Sequence, residues 1–229
     1  MEQFPNGYCL NIPDTAFPLS TDSMLLSDFI RIGKSDRILD LGSGCGTLGL
    51  LLCARQEACH VTGIELDAEA HEAALDNIRC NQLQARMTSI CADLRTVNQI
   101  FTPGSFTCCI SNPPYFSGGP ASQKMPLARR DDTCTPEQLF QSAAWALQYG
   151  GDFFLVHKPE KLAQLCACAS KAGLEPKRLR LIRCKPDNPV TLILLQCRKG
   201  GKPGLVWEES CLNNADGSPT EYYRTIYHL

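Results

Sequence analysis

No apolar run in the chain of 229 residues approaches the roughly 20 residues that a membrane-spanning helix needs. The opening stretch, MEQFPNGYCLNIPD, lacks a basic region followed by an apolar one, so no secretory signal is expected and a cytoplasmic location is the default reading. No C-x-x-C pair occurs, and Cys166-x-Cys168 has no partner pair at zinc-like spacing, which sets a structural metal aside. An overall excess of positive charge is missing too, since the net charge is −2. Neither a repeat nor a linker interrupts the pattern. One domain over 1–229 is expected, with an N-terminal segment to about residue 36, a core at 37–200 and a tail at 201–229.

Hydrophobic residues make up 44% of the chain and charged residues 20%, a balance that suits a globular domain with a sizeable core. The fourteen cysteines are many, but most sit inside apolar runs, as at Cys53, Cys91, Cys108, Cys109 and Cys197. There a free thiol behaves as a small hydrophobe, and buried free thiols in a reducing compartment are expected. Charge is unevenly spread. Residues 1–100 carry 7 Lys and Arg against 13 Asp and Glu, whereas residues 171–202 carry 9 against 2. A solvated face is the plain reading of that basic run, and an anchor for a polyanion the sharper one.

Short apolar runs alternate with amphipathic stretches. Strands are expected at 37–41 (RILDL), 60–66 (HVTGIEL), 86–94 (RMTSICADL), 106–112 (FTCCISN) and 151–157 (GDFFLVH). Helices are expected at 46–55, at 68–83 with Asp67 as N-cap, from about Pro136 to Gln148, and at 158–173 closed by Gly173. Strand–helix alternation with short connections predicts an α/β fold, a doubly wound, mostly parallel sheet covered on both faces. LRLIRC (179–184) and VTLILLQCRK (190–199) read as an antiparallel pair at one sheet edge. The tail after residue 200 is too polar and rich in turns to assign.

Asp40-Leu-Gly-Ser-Gly-Cys-Gly46 stands where the first strand passes to the first helix. Gly42, Gly44 and Gly46 let the chain turn sharply and let a ligand approach the main chain. The dinucleotide fingerprint G-x-G-x-x-G fails at Thr47, and the G-K-[ST] of a phosphate loop is absent. Glu65 ends the second strand, where doubly wound folds place an acid against ribose hydroxyls. Asp93 ends the third. Helix capping or solvation would explain either acid alone; three acids ending successive strands beside a glycine loop point to a ligand site.

The fourth strand delivers Asn112-Pro113-Pro114-Tyr115 to the same edge. An ordinary turn is the plain reading, since Asn-Pro often starts one. Beside the loop, a rigid clamp reads better. An exocyclic amine has a delocalised lone pair, and two fixed acceptors, the Asn112 carboxamide oxygen and the Pro113 carbonyl, would orient it and stabilise the growing positive charge. Prolines hold the carbonyl still, and Tyr115 offers a flat face for stacking a planar substrate. His157 reads as a structural residue at a strand end.

These motifs carry a resemblance. D-x-G-x-G-x-G is similar to motif I of the class I S-adenosylmethionine-dependent methyltransferases, and NPPY resembles motif IV of the amino-methyltransferases. FPLSTDSMLL (17–26), LARRDD (127–132), VHKPEKL (156–162) and PKRLRLIRCKP (176–186) extend the likeness to the bacterial tRNA(Val) adenine-N6 methyltransferases over about residues 15–200. The resemblance implies a Rossmann-like methyltransferase fold with a seven-stranded sheet, S-adenosyl-L-methionine as donor, and methylation of the adenosine just 3′ of the anticodon of a tRNA partner. It implies Thr21 and Asp22 capping a helix over the donor's methionine end, with Asp40, Gly42, Gly44, Gly46, Glu65, Asp93 and Asn112 around the donor. Asn112, Pro113, Pro114 and Tyr115 would be the catalytic group. Arg129 and Arg130 would meet phosphates flanking a flipped base, and Lys177, Arg178, Arg180, Arg183 and Lys185 the RNA backbone. No metal is called for.

Alternatives share parts of this pattern. Methyltransferases of ribosomal RNA or DNA bases, and of glutamine in release factors, carry the same tetrapeptide. The glutamine enzymes resemble a fusion with a preceding helical domain, for which the 39 residues before Asp40 are too few. A non-catalytic RNA-binding module is the reading from another class, and the intact Asp40 loop and Asn112 speak against it.

Overall fold

A computed structural model of the chain describes residues 2–3, 7–13, 19–114 and 134–227. The expected strands and helices form around one central sheet. β1 (Glu2–Gln3) and β2 (Cys9–Leu10) pair as a short hairpin, and α1 (Thr21–Phe29) follows. Then come β3 (Arg37–Leu41), α2 (Thr47–Arg55), β4 (His60–Glu65), α3 (Ala68–Cys80), β5 (Met87–Cys91), the single turn α4 (Val97–Ile100) and β6 (Phe106–Ser111). The second half runs α5 (Pro136–Ala146), β7 (Leu147–His157), α6 (Leu162–Lys171), β8 (Leu174–Arg183), β9 (Val190–Lys199), β10 (Val206–Cys211) and α7 (Glu221–Tyr227).

Local chemistry sets the helix starts. Asp67 caps α3 by accepting from the Ala70 N–H, and Thr135 caps α5 in a reciprocal box with Gln138, just ahead of Pro136. The helix expected to run to Gln148 stops at Ala146, where the chain enters β7 directly and Gly150 bends inside the strand with φ of 80°.

The sheet order is β10-β8-β9-β7-β6-β3-β4-β5. β9 runs against its neighbours β7 and β8; every other pairing is parallel. The expectation of seven strands is corrected to eight. The antiparallel strands are also not outermost, because β10, from the unassigned tail, lies beyond β8 and pairs with it in parallel.

Alternation along the inner strands divides the core. Ile38, Cys108, Phe154 and Leu194 face a layer built with α1 and α2, whereas Leu39, Cys109, Phe153 and Leu195 face α5 and α6. Parallel strands covered on both faces read as unbroken apolar runs for this reason. All fourteen cysteines are free thiols, and seven, including the neighbours Cys108 and Cys109, are buried. Burial pushes the Cys109 thiol well above its ordinary range.

β10 escaped the sequence pattern because its inward polar residues find counter-charges across the sheet. Arg180 on β8 donates from Nε to Glu208 Oε2 (2.8 Å) on β10, and from one terminal nitrogen to Asp28 Oδ2 and to the Tyr222 hydroxyl, both at 3.0 Å. One guanidinium thus joins β8, β10, α1 and α7. Its neighbour Arg178 is 5% exposed, lies 3.8 Å over the Phe29 ring and donates to the Phe29 carbonyl. Removing a largely buried member of such a network leaves its partners uncompensated. Arg180→Ala is expected to lower unfolding stability by about 3 kcal/mol, read from urea melts. A change below about 0.5 kcal/mol, the size of an ordinary surface substitution, would remove Arg180 from this role.

Candidate active site

Three adjacent strands bring the site together. In register, Asp40 on β3 stands opposite Gly63 on β4 and Ile110 on β6. Because the three run parallel, Asp40, Glu65 and Asn112 all emerge at the carboxyl edge, where open α/β sheets bind ligands. Ser111 fastens the junction, its hydroxyl donating to the Leu41 carbonyl at 2.7 Å.

The loop after β3 turns through left-handed backbone at Gly42 (φ 77°) and Gly44 (φ 55°). A Cβ built at either meets no atom of the described residues within 4 Å, so among them the space above this main chain is open. The Gly42 and Ser43 N–H groups both donate to the Ile64 carbonyl, at 2.9 and 3.0 Å, which pins the loop to β4. Gly46 caps α2 without a side chain, and a Cβ there would press Met87 at 2.8 Å.

Glu65 is held by the backbone. Its Oε2 accepts from the Gly44 N–H at 2.7 Å and its Oε1 from the Asp67 N–H at 2.8 Å. Each oxygen keeps a further lone pair for a ligand hydroxyl. Asp40 is 1% exposed, and neither of its oxygens has a partner among the described residues. Burial, reinforced by the negative charge of Glu65, pushes its pKa up to about 8. A buried carboxylate without a partner is costly, and a cationic ligand entering the crevice would relieve that cost.

The other expected residues take varied places. Asp93 lies just past β5, where Oδ1 accepts from the Arg95 N–H at 2.9 Å and Oδ2 from Arg95 Nε at 2.8 Å. Ser20 caps α1, so Thr21 and Asp22 are its first helical residues rather than caps. The Thr21 hydroxyl lies 2.8 Å from that of Tyr227 on α7, and Asp22 is pushed up by burial against the opposing pull of Lys158. Asn112 is half-buried, Pro113 buried and Pro114 exposed; Tyr115, Arg129 and Arg130 lie outside the described residues. His157 is buried and accepts from the Lys158 N–H at 2.8 Å; burial lowers its pKa to about 4, which keeps the ring neutral.

The basic run divides. Arg178 and Arg180, expected at an RNA surface, are instead spent inside the fold, as described above. Lys177 lies near the opposite edge of the sheet and donates to the Lys202 carbonyl at 2.8 Å. Arg183 ends β8 at the carboxyl edge, donating to the Asn188 carbonyl at 2.6 Å with Glu209 at 3.6 Å, and Lys185 follows on the next turn.

Two residues at the site were missed. Ser23 on α1 accepts from Asn112 Nδ2 at 3.1 Å. Asn77 on α3, fully buried, pairs with both backbone groups of Asn11 at 2.8 and 2.9 Å and donates to the Cys45 carbonyl in the glycine loop at 2.9 Å. Asn81 grips Cys9 in the same way at 2.8 and 2.7 Å. Amides four apart on a helix share a face, and that spacing was the available signal.

The mostly parallel eight-stranded sheet, flanked by helices on both faces, is a Rossmann-like methyltransferase fold. The chain belongs to the methyltransferase small domain family, whose model matches residues 19–165. It is 32% identical over 177 residues, 76% of this chain and 74% of the relative, to a protein of Bacteroides fragilis named tRNA1(Val) (adenine(37)-N6)-methyltransferase. A Tolumonas auensis protein of the same name is 33% identical over 208 residues, covering 88% of this chain and 84% of its own. Among solved structures, a predicted O-methyltransferase from Agrobacterium tumefaciens superposes with a TM-score of 0.76 at 22% identity, covering 91% of this chain and 96% of its own. A geranyl diphosphate C-methyltransferase from Streptomyces coelicolor, solved with S-adenosyl-L-homocysteine, gives 0.56 at 13% identity over 77% of this chain and 78% of its own. These two likenesses show the fold.

The raised pKa of Asp40 has a definite sign in stability. Its folded value, about 8, lies above the ordinary 3.8, so the contribution is fully present below the unfolded pKa and is lost as pH rises through the folded one. Asp40→Asn, which cannot ionise, is expected to gain melting temperature over the ligand-free wild type between pH 5 and pH 8. A difference that stays constant across that range would refute the shift.

Proposed function

We propose that this chain is an S-adenosylmethionine-dependent methyltransferase, acting as one domain, that methylates N6 of adenosine 37 in tRNA1(Val), the reaction named for its relatives. The observation that carries this reading is the delivery of Asn112 and Pro113 by β6 to the edge where β3 presents Asp40 and the open glycine loop.

The residues fit the donor. Asp40 offers the buried, unpartnered carboxylate that a cationic ligand satisfies, Glu65 has lone pairs left for the ribose hydroxyls, and Gly42 and Gly44 leave the main chain accessible. When bound, S-adenosylmethionine supplies an electrophilic methyl group on a sulfonium. Everything else falls to the chain. Asn112 Oδ1 and the Pro113 carbonyl accept hydrogen bonds from the adenine amino group, which frees its lone pair from the ring and stabilises the positive charge that grows on nitrogen. That nitrogen, acidified by methylation, loses its proton to water without a strong base. Tyr115 stacks the extruded base, and Arg129, Arg130, Arg183 and Lys185 meet phosphates near the crevice. Bases in RNA loops are already partly unstacked, which lowers the cost of extrusion. Such an enzyme works in the cytoplasm, where tRNA and reduced thiols coexist.

The decisive assay incubates the protein and labelled donor with tRNA, ribosomal RNA, DNA and protein in parallel, followed by nucleoside mass spectrometry. N6-methyladenosine is expected in tRNA, and lost from a tRNA1(Val) transcript bearing G at position 37; label in protein or DNA alone would overturn the reading. Asn112→Ala is expected to lower the transfer rate by about 100-fold or more with donor binding retained. A wild-type rate would dismiss the clamp. Glu65→Ala is expected to weaken donor binding by about tenfold or more in calorimetry, and an unchanged dissociation constant would take Glu65 out of the site.

A further inference from the structure

The carboxamide of Asn112 has two chemically opposite ends. Oδ1 accepts hydrogen bonds and Nδ2 donates them. A clamp for an amine needs Oδ1 toward the acceptor, yet the two ends have nearly the same shape, so sterics alone cannot choose between them. The choice falls to whatever the other end meets.

Here Nδ2 meets Ser23. Its Oγ accepts from Asn112 Nδ2 at 3.1 Å, across 89 residues of sequence. Ser23 is 6% exposed, on a stretch of α1 that is buried all round from Ser23 to Ser27. Its hydroxyl is confined: Ser20 Oγ lies 3.4 Å away and itself accepts from the Ser23 N–H at 3.3 Å. The first turn of the helix, which carries Ser23, is in turn fastened by Tyr227 at Thr21. Ser20 Oγ is within reach of the Ser23 hydroxyl proton, and with the proton turned there the Ser23 oxygen is left as an acceptor for Nδ2.

We propose that Ser23 is a positioning and specificity-determining residue, whose hydroxyl holds the Asn112 carboxamide with Oδ1 turned to the substrate, so that the clamp takes an exocyclic amine and refuses a carbonyl edge. An adenine amino group donates to Oδ1. The O6 of hypoxanthine, at the same place on the ring, finds an acceptor facing an acceptor and is repelled. Without the hydroxyl the carboxamide rotates between its two ends, and part of the time offers a donor that suits the carbonyl. This inference rests on the amine-methylating function proposed above.

The test compares wild type, Ser23→Ala, Ser23→Thr and Asp28→Ala on an anticodon-loop RNA, with the inosine-substituted RNA as competitor. Ser23→Ala is expected to lose roughly tenfold in kcat while KM and donor affinity stay within about twofold. The inosine RNA should compete better against it than against wild type. Ser23→Thr, which keeps a hydroxyl, is expected to recover most of the rate. Asp28→Ala loosens the far end of α1, so it should lower Tm and leave kcat alone. A wild-type kcat for Ser23→Ala, a loss of equal size in Asp28→Ala, or unchanged inosine competition would each overturn the proposal. Should wild type methylate no amine at all, the function falls rather than this inference, and the tether is then read directly. The Asn112 side-chain NH2 resonances of 15N-labelled protein should exchange slowly in wild type and fast in Ser23→Ala; identical exchange would overturn it.

Discussion

The parallel register of β6, β3 and β4 is the constraint on which the rest depends. It sets Asp40 between Gly63 and Ile110 in the middle of a sheet covered on both faces. Two results follow from one placement. The acids and the amide that end these strands must share an edge, because parallel strands have no other way to finish. The first acid is also stripped of water, because its strand is the central one of the three. A carboxyl on an edge strand would be solvated; on β3 burial instead pushes its pKa up to about 8.

Support for the site arrives from the far end of the chain. β10 extends the sheet, α7 returns over α1, and Arg180 ties both to α1 through Glu208, Tyr222 and Asp28. Tyr227 then braces the N-terminal turn of the same helix, and α1 in turn touches Asn112. The tail thus reaches Asn112 through one intermediary helix.

Much of this was legible in the sequence. The buried strands announced themselves as apolar runs, the glycines at 42, 44 and 46 as a sharp turn of left-handed backbone, and Asp67 and Pro136 as helix starts. What stayed hidden shares a physical character: it depends on pairing between segments remote in sequence. β10 reads as a polar stretch because Glu208 and Glu209 are neutralised by arginines on β8, more than twenty residues earlier. For the same reason Arg178 and Arg180 looked like surface charge when they are packing elements. Ser23 and Asn77 act through partners 89 and 66 residues away. Periodicity reports what a residue does to its own element, and a side chain that serves a distant segment leaves little trace in it.

The thiols spread through the two core layers have one more consequence. Cys108, Cys109 and Cys197 lie on inner strands and are closed off from reagents, whereas Cys80 and Cys91 stand exposed. Alkylation at the exposed pair counts molecules, and alkylation at the inner three waits for the sheet to come apart. The chain therefore carries its own gauge of opening, one that any ligand tightening the crevice would slow.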